Sequence, residues 1–136
     1  MNEVNVSQPN DVLTYNLIKK ALDASNVRAA ATENNIANVN TKGYKSYHVS
    51  FEDSLKDSVN NLEMRTTRDK HMQNDDKYGT IGINQDETTS MKSDGNNVDI
   101  DYEMTELASN YLMYSALTSQ LDTRYAINRY VIEGGK

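Results

Sequence analysis

Two stripes of residues, one near each end of the chain, recur at alternating intervals of three and four for longer than a small domain requires. The first runs Tyr15, Ile18, Leu22, Ser25, Ala29, Thr32, Ile36 and Val39, and the second Met104, Leu107, Tyr111, Tyr114, Thr118, Leu121, Tyr125, Asn128 and Ile132. That alternation is the heptad seam of an amphipathic helix. The first helix is expected from about Asp11 to Val39, with Asp11, shortly after the only proline, as its N-cap. At 1.5 Å per residue it would be about 40 Å long. Leu17, Ala21, Ala24 and Ala31 flank its stripe and include small side chains that let a second helix approach closely. The second helix is expected from about Tyr102 to Ile132. Its three tyrosines would also suit a ligand-stacking face, but helical spacing and amphipathic rings fit a seam buried on one side and wet on the other better. The expected fold class is therefore mainly α: two long terminal amphipathic helices forming a coiled-coil-like hairpin, with a short helix and a small irregular or β middle region.

The run Asn34-Asn35-Ile36-Ala37-Asn38-Val39-Asn40-Thr41-Lys42-Gly43-Tyr44 should stop the first helix. Asparagine competes with the helix for backbone hydrogen bonds and is at home at helix ends, and Gly43 supplies the positive φ of a turn. Tyr44, Tyr47, Val49 and Phe51 then suit a short strand or extended arm. Phe51, Leu55, Val59 and Leu62 space a short amphipathic helix, and Tyr78, Ile81 and Ile83, near Gly79 and Gly82, offer at most a short hairpin. The polar stretch 65–77 is too poor in apolar side chains to offset the entropy of ordering it alone. Further on, Asp94-Gly95 marks a turn, Val98 and Ile100 an extended step, Asp101 a helix cap, and Glu103 a carboxylate that complements the helix dipole. This divides the chain into an N-terminal helix and turn over 1–45, a polar middle over 46–97 and a C-terminal helix over 98–136.

Composition excludes several kinds of work. The absence of cysteine removes disulfides, thiolate metal sites and cysteine nucleophiles. A formal charge of -6 argues against nucleic acid as a partner, and no stretch is apolar enough for direct membrane insertion. The acidity sits in the middle: residues 48–103 carry six Lys/Arg against thirteen Asp/Glu, so the two ends are near neutral and free to pack against other copies. His48 and His71 lie far apart without patterned carboxylates, and the acidic run from Asp94 misses the calcium-loop spacing at Val98, Asp99 and Thr105. No catalytic residue, cofactor or metal is expected. Nor do the first twenty residues hold the continuous apolar block of an ordinary cleaved signal peptide.

Two segments carry a resemblance. Asn34 through Lys45 resembles the N-terminal signature of the bacterial flagellar rod, hook and hook-associated proteins, and Asn96-Asn97-Val98-Asp99-Ile100-Asp101-Tyr102-Glu103-Met104 is similar to the signature that opens their C-terminal helix. Both fall in the family's order and cover, with their helices, about the first fifty and last forty residues. The short length and the run Tyr111-Leu112-Met113-Tyr114-Ser115-Ala116-Leu117-Thr118 are most similar to the proximal rod members. Lys42 stands where many of them have proline, which leaves the turn less rigid while Gly43 still permits it.

The resemblance implies a structural subunit of the proximal rod of the flagellar basal body, exported without a cleaved signal peptide. It would polymerise through its terminal helices into a torque-transmitting axial tube around the export channel. Other rod proteins, the rod-base adaptor, the membrane-supramembrane ring and the export gate are the implied partners, with self-association. Helix packing and assembly are expected of Ile18, Leu22, Ile36, Leu107, Tyr111, Tyr114, Leu121 and Tyr125. The first signature turn is assigned to Asn34, Asn38, Thr41, Gly43 and Tyr44, and the second signature to Asn97, Val98 and Asp99. The alternative is a soluble helical adaptor or export chaperone of the same export system.

Overall fold

The computed structural model describes residues 10–60, 78–87 and 93–134. Their elements are α1 (Asn10–Ala37), β1 (Tyr47–Ser50), α2 (Glu52–Asn60), β2 (Gly82–Gln85) and α3 (Ile100–Ile132). With 28 and 33 residues, the two terminal helices dominate the molecule and lie against each other along their lengths. They run antiparallel: Tyr15 meets Tyr125, Ser25 meets Asn110, and Asn35 meets Glu103. Mainly helical, with a hairpin of long terminal helices, a short helix and a small β element, the architecture is the one expected from the stripes. Leu62, the stretch 65–77 and His71 lie outside the described residues.

The helix boundaries depart from expectation in three places, the first being that α1 ends at Ala37, short of Val39, where the asparagine-rich turn begins. Asp11 lies inside α1, whose first helical residue is Asn10. At the other helix the cap is Asp99, whose carboxylate accepts from the backbone N–H groups of Asp101 and Tyr102. Ile100 is consequently already helical, and Asp101 serves as a first-turn acid beside the positive end of the dipole.

The small sheet joins distant segments. β1 pairs with β2 antiparallel, Tyr47 opposite Gln85 and Ser50 opposite Gly82, so residues 78–83 form no hairpin of their own. α2 follows β1 directly, with Phe51 buried at the junction. Gly79 packs on the start of this helix: its φ is +75°, and a Cβ there would lie 2.7 Å from the Leu55 backbone nitrogen. Ser54 reinforces the contact by accepting from the Thr80 N–H at 2.7 Å. Arg28 holds α2 to α1 through both carboxylate oxygens of Glu52 at 2.8 Å. Burial pushes the Glu52 carboxyl up, but the Arg28 hydrogen bonds, joined by its own and Phe51's backbone, outweigh that and leave it below the usual range.

The two long helices meet on faces turned from the apolar stripes. In α1 the buried positions are Ile18, Ala24, Ser25, Thr32 and Asn35, and in α3 they are Glu103 and Asn110. One column of each expected stripe is kept, Ile18-Ser25-Thr32 in α1 and the half-buried Leu107 and Leu121 in α3. The other column moves by one residue, to Asn35 in place of Ile36 and to Glu103 and Asn110 in place of Met104 and Tyr111. At 100° per residue this turns each helix by about 50° from the orientation its apolar side chains alone would select. Polar groups therefore line the intramolecular seam, while Met104, Tyr111, Leu112, Met113, Tyr114 and Tyr125 are exposed.

Candidate functional site

Where α1 ends and α3 begins, the two signature segments bind each other through three buried asparagines. The chain that leaves α1 at Ala37 turns at once, and one side chain gathers the carbonyls of that turn. The fully buried Asn96 amide donates to the carbonyls of Asn38, Val39 and Thr41 at 3.0, 3.1 and 2.9 Å, while its own oxygen accepts from the Val98 N–H at 2.7 Å. The second signature thus fastens the turn in which the first one ends.

Asn97 fastens the sheet to the same point. Its oxygen accepts from the Ser46 N–H at 2.8 Å and its amide donates to the Asp86 carbonyl at 3.0 Å, on the segments that lead into β1 and out of β2. Asn35, wholly buried on the last turns of α1, treats Tyr47 as a strand partner would: its oxygen accepts from the Tyr47 N–H and its amide donates to the Tyr47 carbonyl, both at 2.9 Å. The same amide reaches Glu103 Oε1 at 2.9 Å, and the Tyr44 hydroxyl donates to the Asn35 oxygen. Asn35 thereby ties α1, β1 and α3 together.

The glycines allow the two turns to stack. Gly43 has a φ of +71° and donates its N–H to the Asp94 carbonyl at 3.1 Å; Gly95 has a φ of +90°, and a Cβ on it would lie 3.5 Å from the Gly43 Cα. Glycine is favoured at both because other residues are strained at positive φ.

Of the residues expected to shape the turn, Asn38 donates to the Asn34 carbonyl, and the Thr41 hydroxyl donates to the Asn38 side chain. Tyr44 packs edge-on against Tyr47, its hydroxyl raised above the usual tyrosine range by burial and then by Tyr47 and Glu103. In the second signature Asn97 and Val98 are buried and Asp99 is the exposed helix cap. Among the packing residues, Ile18 is buried; Leu22, Ile36, Leu107 and Leu121 are half-buried; Tyr111, Tyr114 and Tyr125 are exposed, although Tyr125 meets Tyr15 edge-on with their hydroxyls 3.1 Å apart.

Five further residues belong to the site. Ser25 and Asn110 form a buried reciprocal pair: the serine hydroxyl donates to the asparagine oxygen at 2.8 Å, and the asparagine amide donates to the Ser25 carbonyl at 2.9 Å. Asn35, Asn96 and Glu103 complete the set. The available signal was asparagine inside or beside a helix, a poor choice unless its amide has a partner. Glu103 is buried, not merely a dipole complement, and burial raises its carboxyl above the ordinary range despite the Asn35 hydrogen bond and nearby His48.

Catalytic geometry is not assembled around His48. Ser46 Oγ lies 3.2 Å and the Asp86 carboxylate 4.0 Å from the same ring nitrogen, Nε2, so the carboxylate cannot orient the far side of the ring as a serine triad requires. Among the described residues no cluster of His, Asp and Glu is placed to hold a metal ion, and no helix is long and apolar enough to cross a membrane. What the chain builds is a fastening: the base of a long hairpin, tied by buried amides. This is the make-up of a structural helical protein.

No family model matches the chain. Relatives do. The flagellar basal body rod protein FlgB of Bacillus subtilis (strain 168) is 35% identical over 123 residues, which span 90% of this chain and 95% of the relative. The proteins of the same name from Borrelia hermsii and Borreliella burgdorferi are 32% and 33% identical, over 79% and 72% of this chain and 86% and 79% of their own lengths. The chain belongs to the family of flagellar basal body rod protein FlgB, whose members are structural and not enzymes.

Proposed function

We propose that this protein is a structural subunit of the proximal rod of the bacterial flagellar basal body. It is exported without a cleaved signal peptide and polymerises through its terminal helices into part of the torque-transmitting tube around the export channel. Its neighbours are further copies, other rod proteins, the rod-base adaptor, the membrane-supramembrane ring and the export gate. On this reading residues 1–45 and 98–136 supply the inner tube, and the acidic stretch 46–97 faces outward.

The observation that carries this reading, beyond family membership, is the exposed apolar surface of α3. Met104, Tyr111, Leu112, Met113 and Tyr114 are all exposed, with Leu112 at 74% of its full accessibility. Tyr111 to Tyr114 ring one turn of α3 with exposed apolar surface and Met104 adds to it two turns earlier, and such surface favours a neighbouring protein over water. Covering these five would contribute on the order of 5 kcal/mol before the costs of association.

The test is Leu112→Asp. The side chain touches little inside its own subunit, so the hairpin should fold with unchanged helicity by circular dichroism. In cells the variant should be exported yet missing from washed basal bodies, and swimming should be lost. Normal incorporation and swimming would remove the face from the assembly mechanism.

A further inference from the structure

The apolar stripe of α3 is long enough to close against α1, and a hairpin selected by apolar burial alone would use it. The hairpin observed does not. We propose that the buried polar pairs Ser25–Asn110 and Asn35–Glu103 act as rotational keys. They hold α3 turned so that Met104 stays outside the seam and Tyr111 lies at its rim, exposed but for a hydroxyl 3.5 Å from Glu33 of α1, and both stay available to other subunits.

The keys sit on the seam about two turns of α3 apart. In each, both partners are buried and the donor–acceptor distance is 2.8–2.9 Å. Ser25 belongs to the column that both orientations share, so its partner decides the rotation: Asn110 in the observed one, a neighbouring position in the other. Asn35 is fixed more firmly, since its amide and oxygen are also committed to the Tyr47 backbone and to the Tyr44 hydroxyl. Turning α1 to bring Ile36 into the seam would withdraw Asn35 from Tyr47 and leave strand β1 without that partner. Buried polar groups in helical seams are known to select register at some cost in stability. Here they select a face. This deepens the assembly reading and rests on it for its purpose, but the rotation itself is a property of the isolated chain.

Because the chain has no cysteine, single thiol reporters read the rotation directly. Met104→Cys and Glu106→Cys are made separately, in the natural background and in one carrying Ser25→Ala, Asn110→Ala and Glu103→Ala. Maleimide labelling is followed at a dilution where the chain is monomeric. Met104 is exposed and Glu106 half-buried. With the keys removed, α3 should turn toward its apolar stripe, so that the thiol at position 104 labels more slowly and the thiol at position 106 faster, each by about fivefold. Opposite changes are the mark of rotation. Unchanged rates would overturn the proposal. So would acceleration at both positions or loss of helicity, because the pairs would then be holding the helices together and not choosing a face. The assembly reading is tested independently, since Leu112→Asp leaves both keys in place.

Discussion

Asn96 is the residue on which the junction most depends. Its amide covers three carbonyls of the turn that follows α1 while its oxygen holds the Val98 N–H, so all its hydrogen-bonding capacity is spent on backbone. Asn96→Ala should lower the unfolding free energy by about 2–3 kcal/mol, and Asn96→Asp at least as much, because a carboxylate cannot donate and repels the carbonyls it would face. Urea titration followed by circular dichroism checks both, and a loss below about 0.5 kcal/mol would show that water replaces the side chain easily. Glu103 makes a prediction of opposite sign. Burial raises its carboxyl, with Glu106 and Asp99 adding to the effect and Asn35 and His48 opposing it. Between the ordinary carboxylate value and the raised one, the folded chain keeps a proton that the unfolded chain has released. Stability from this group therefore falls as pH rises through that window, and the full penalty stands at neutral pH. Glu103→Gln keeps an acceptor for Asn35 and removes the charge. It should melt at a higher temperature at neutral pH and lose this part of the acid-side pH dependence; a lower melting temperature at neutral pH would mean that the ionised carboxylate is needed.

At the scale of elements, the small sheet and α2 are held to the hairpin by a few close contacts, and Gly79 is the tightest. A Cβ at that position would lie 2.7 and 2.9 Å from Leu55 backbone atoms, on a residue whose φ is already unfavourable for other side chains. Gly79→Ala should cost about 2 kcal/mol and loosen β2 from β1, raising amide exchange at His48 and Asn84, the pair whose N–H groups face the partner strand, while the α1–α3 contact persists. Unchanged exchange at those two amides would contradict the account of this contact. The helices themselves are legible in the sequence because a 3-4 stripe leaves few alternatives, and the turn at Gly43 because asparagines and a glycine follow the stripe. The rotation of the seam is not. Stripes rank positions by apolarity, whereas Asn35, Glu103 and Asn110 are buried through hydrogen bonds that exist only once distant segments have met. The β1–β2 pairing is hidden for the same reason: its strands are four residues each and separated by α2 and the stretch that follows it. Asp99 is easily passed over as cap because Ile100, an apolar β-branched residue, looks like a continuation of the extended step and not the first helical residue.

For the whole molecule, the division of labour follows from where polar and apolar groups have been placed. Buried amides close the base of the hairpin and line its seam, which fixes the shape of one subunit without using up the apolar surface of α3. That surface stays exposed on the single chain, where the proposed assembly would use it, in a family whose relatives are named for the basal body rod. The middle of the chain, residues 48–103, carries thirteen of the twenty Asp/Glu, a composition that suits a solvated exterior. The most direct test of this arrangement is site-specific photocrosslinking in intact basal bodies, with benzoylphenylalanine placed at Leu112 on the outward face of α3 and, separately, at the exposed Lys56 of α2. The account predicts that position 112 crosslinks efficiently to neighbouring axial subunits while position 56 does so weakly or not at all. Strong crosslinking from position 56 with none from 112 would contradict it.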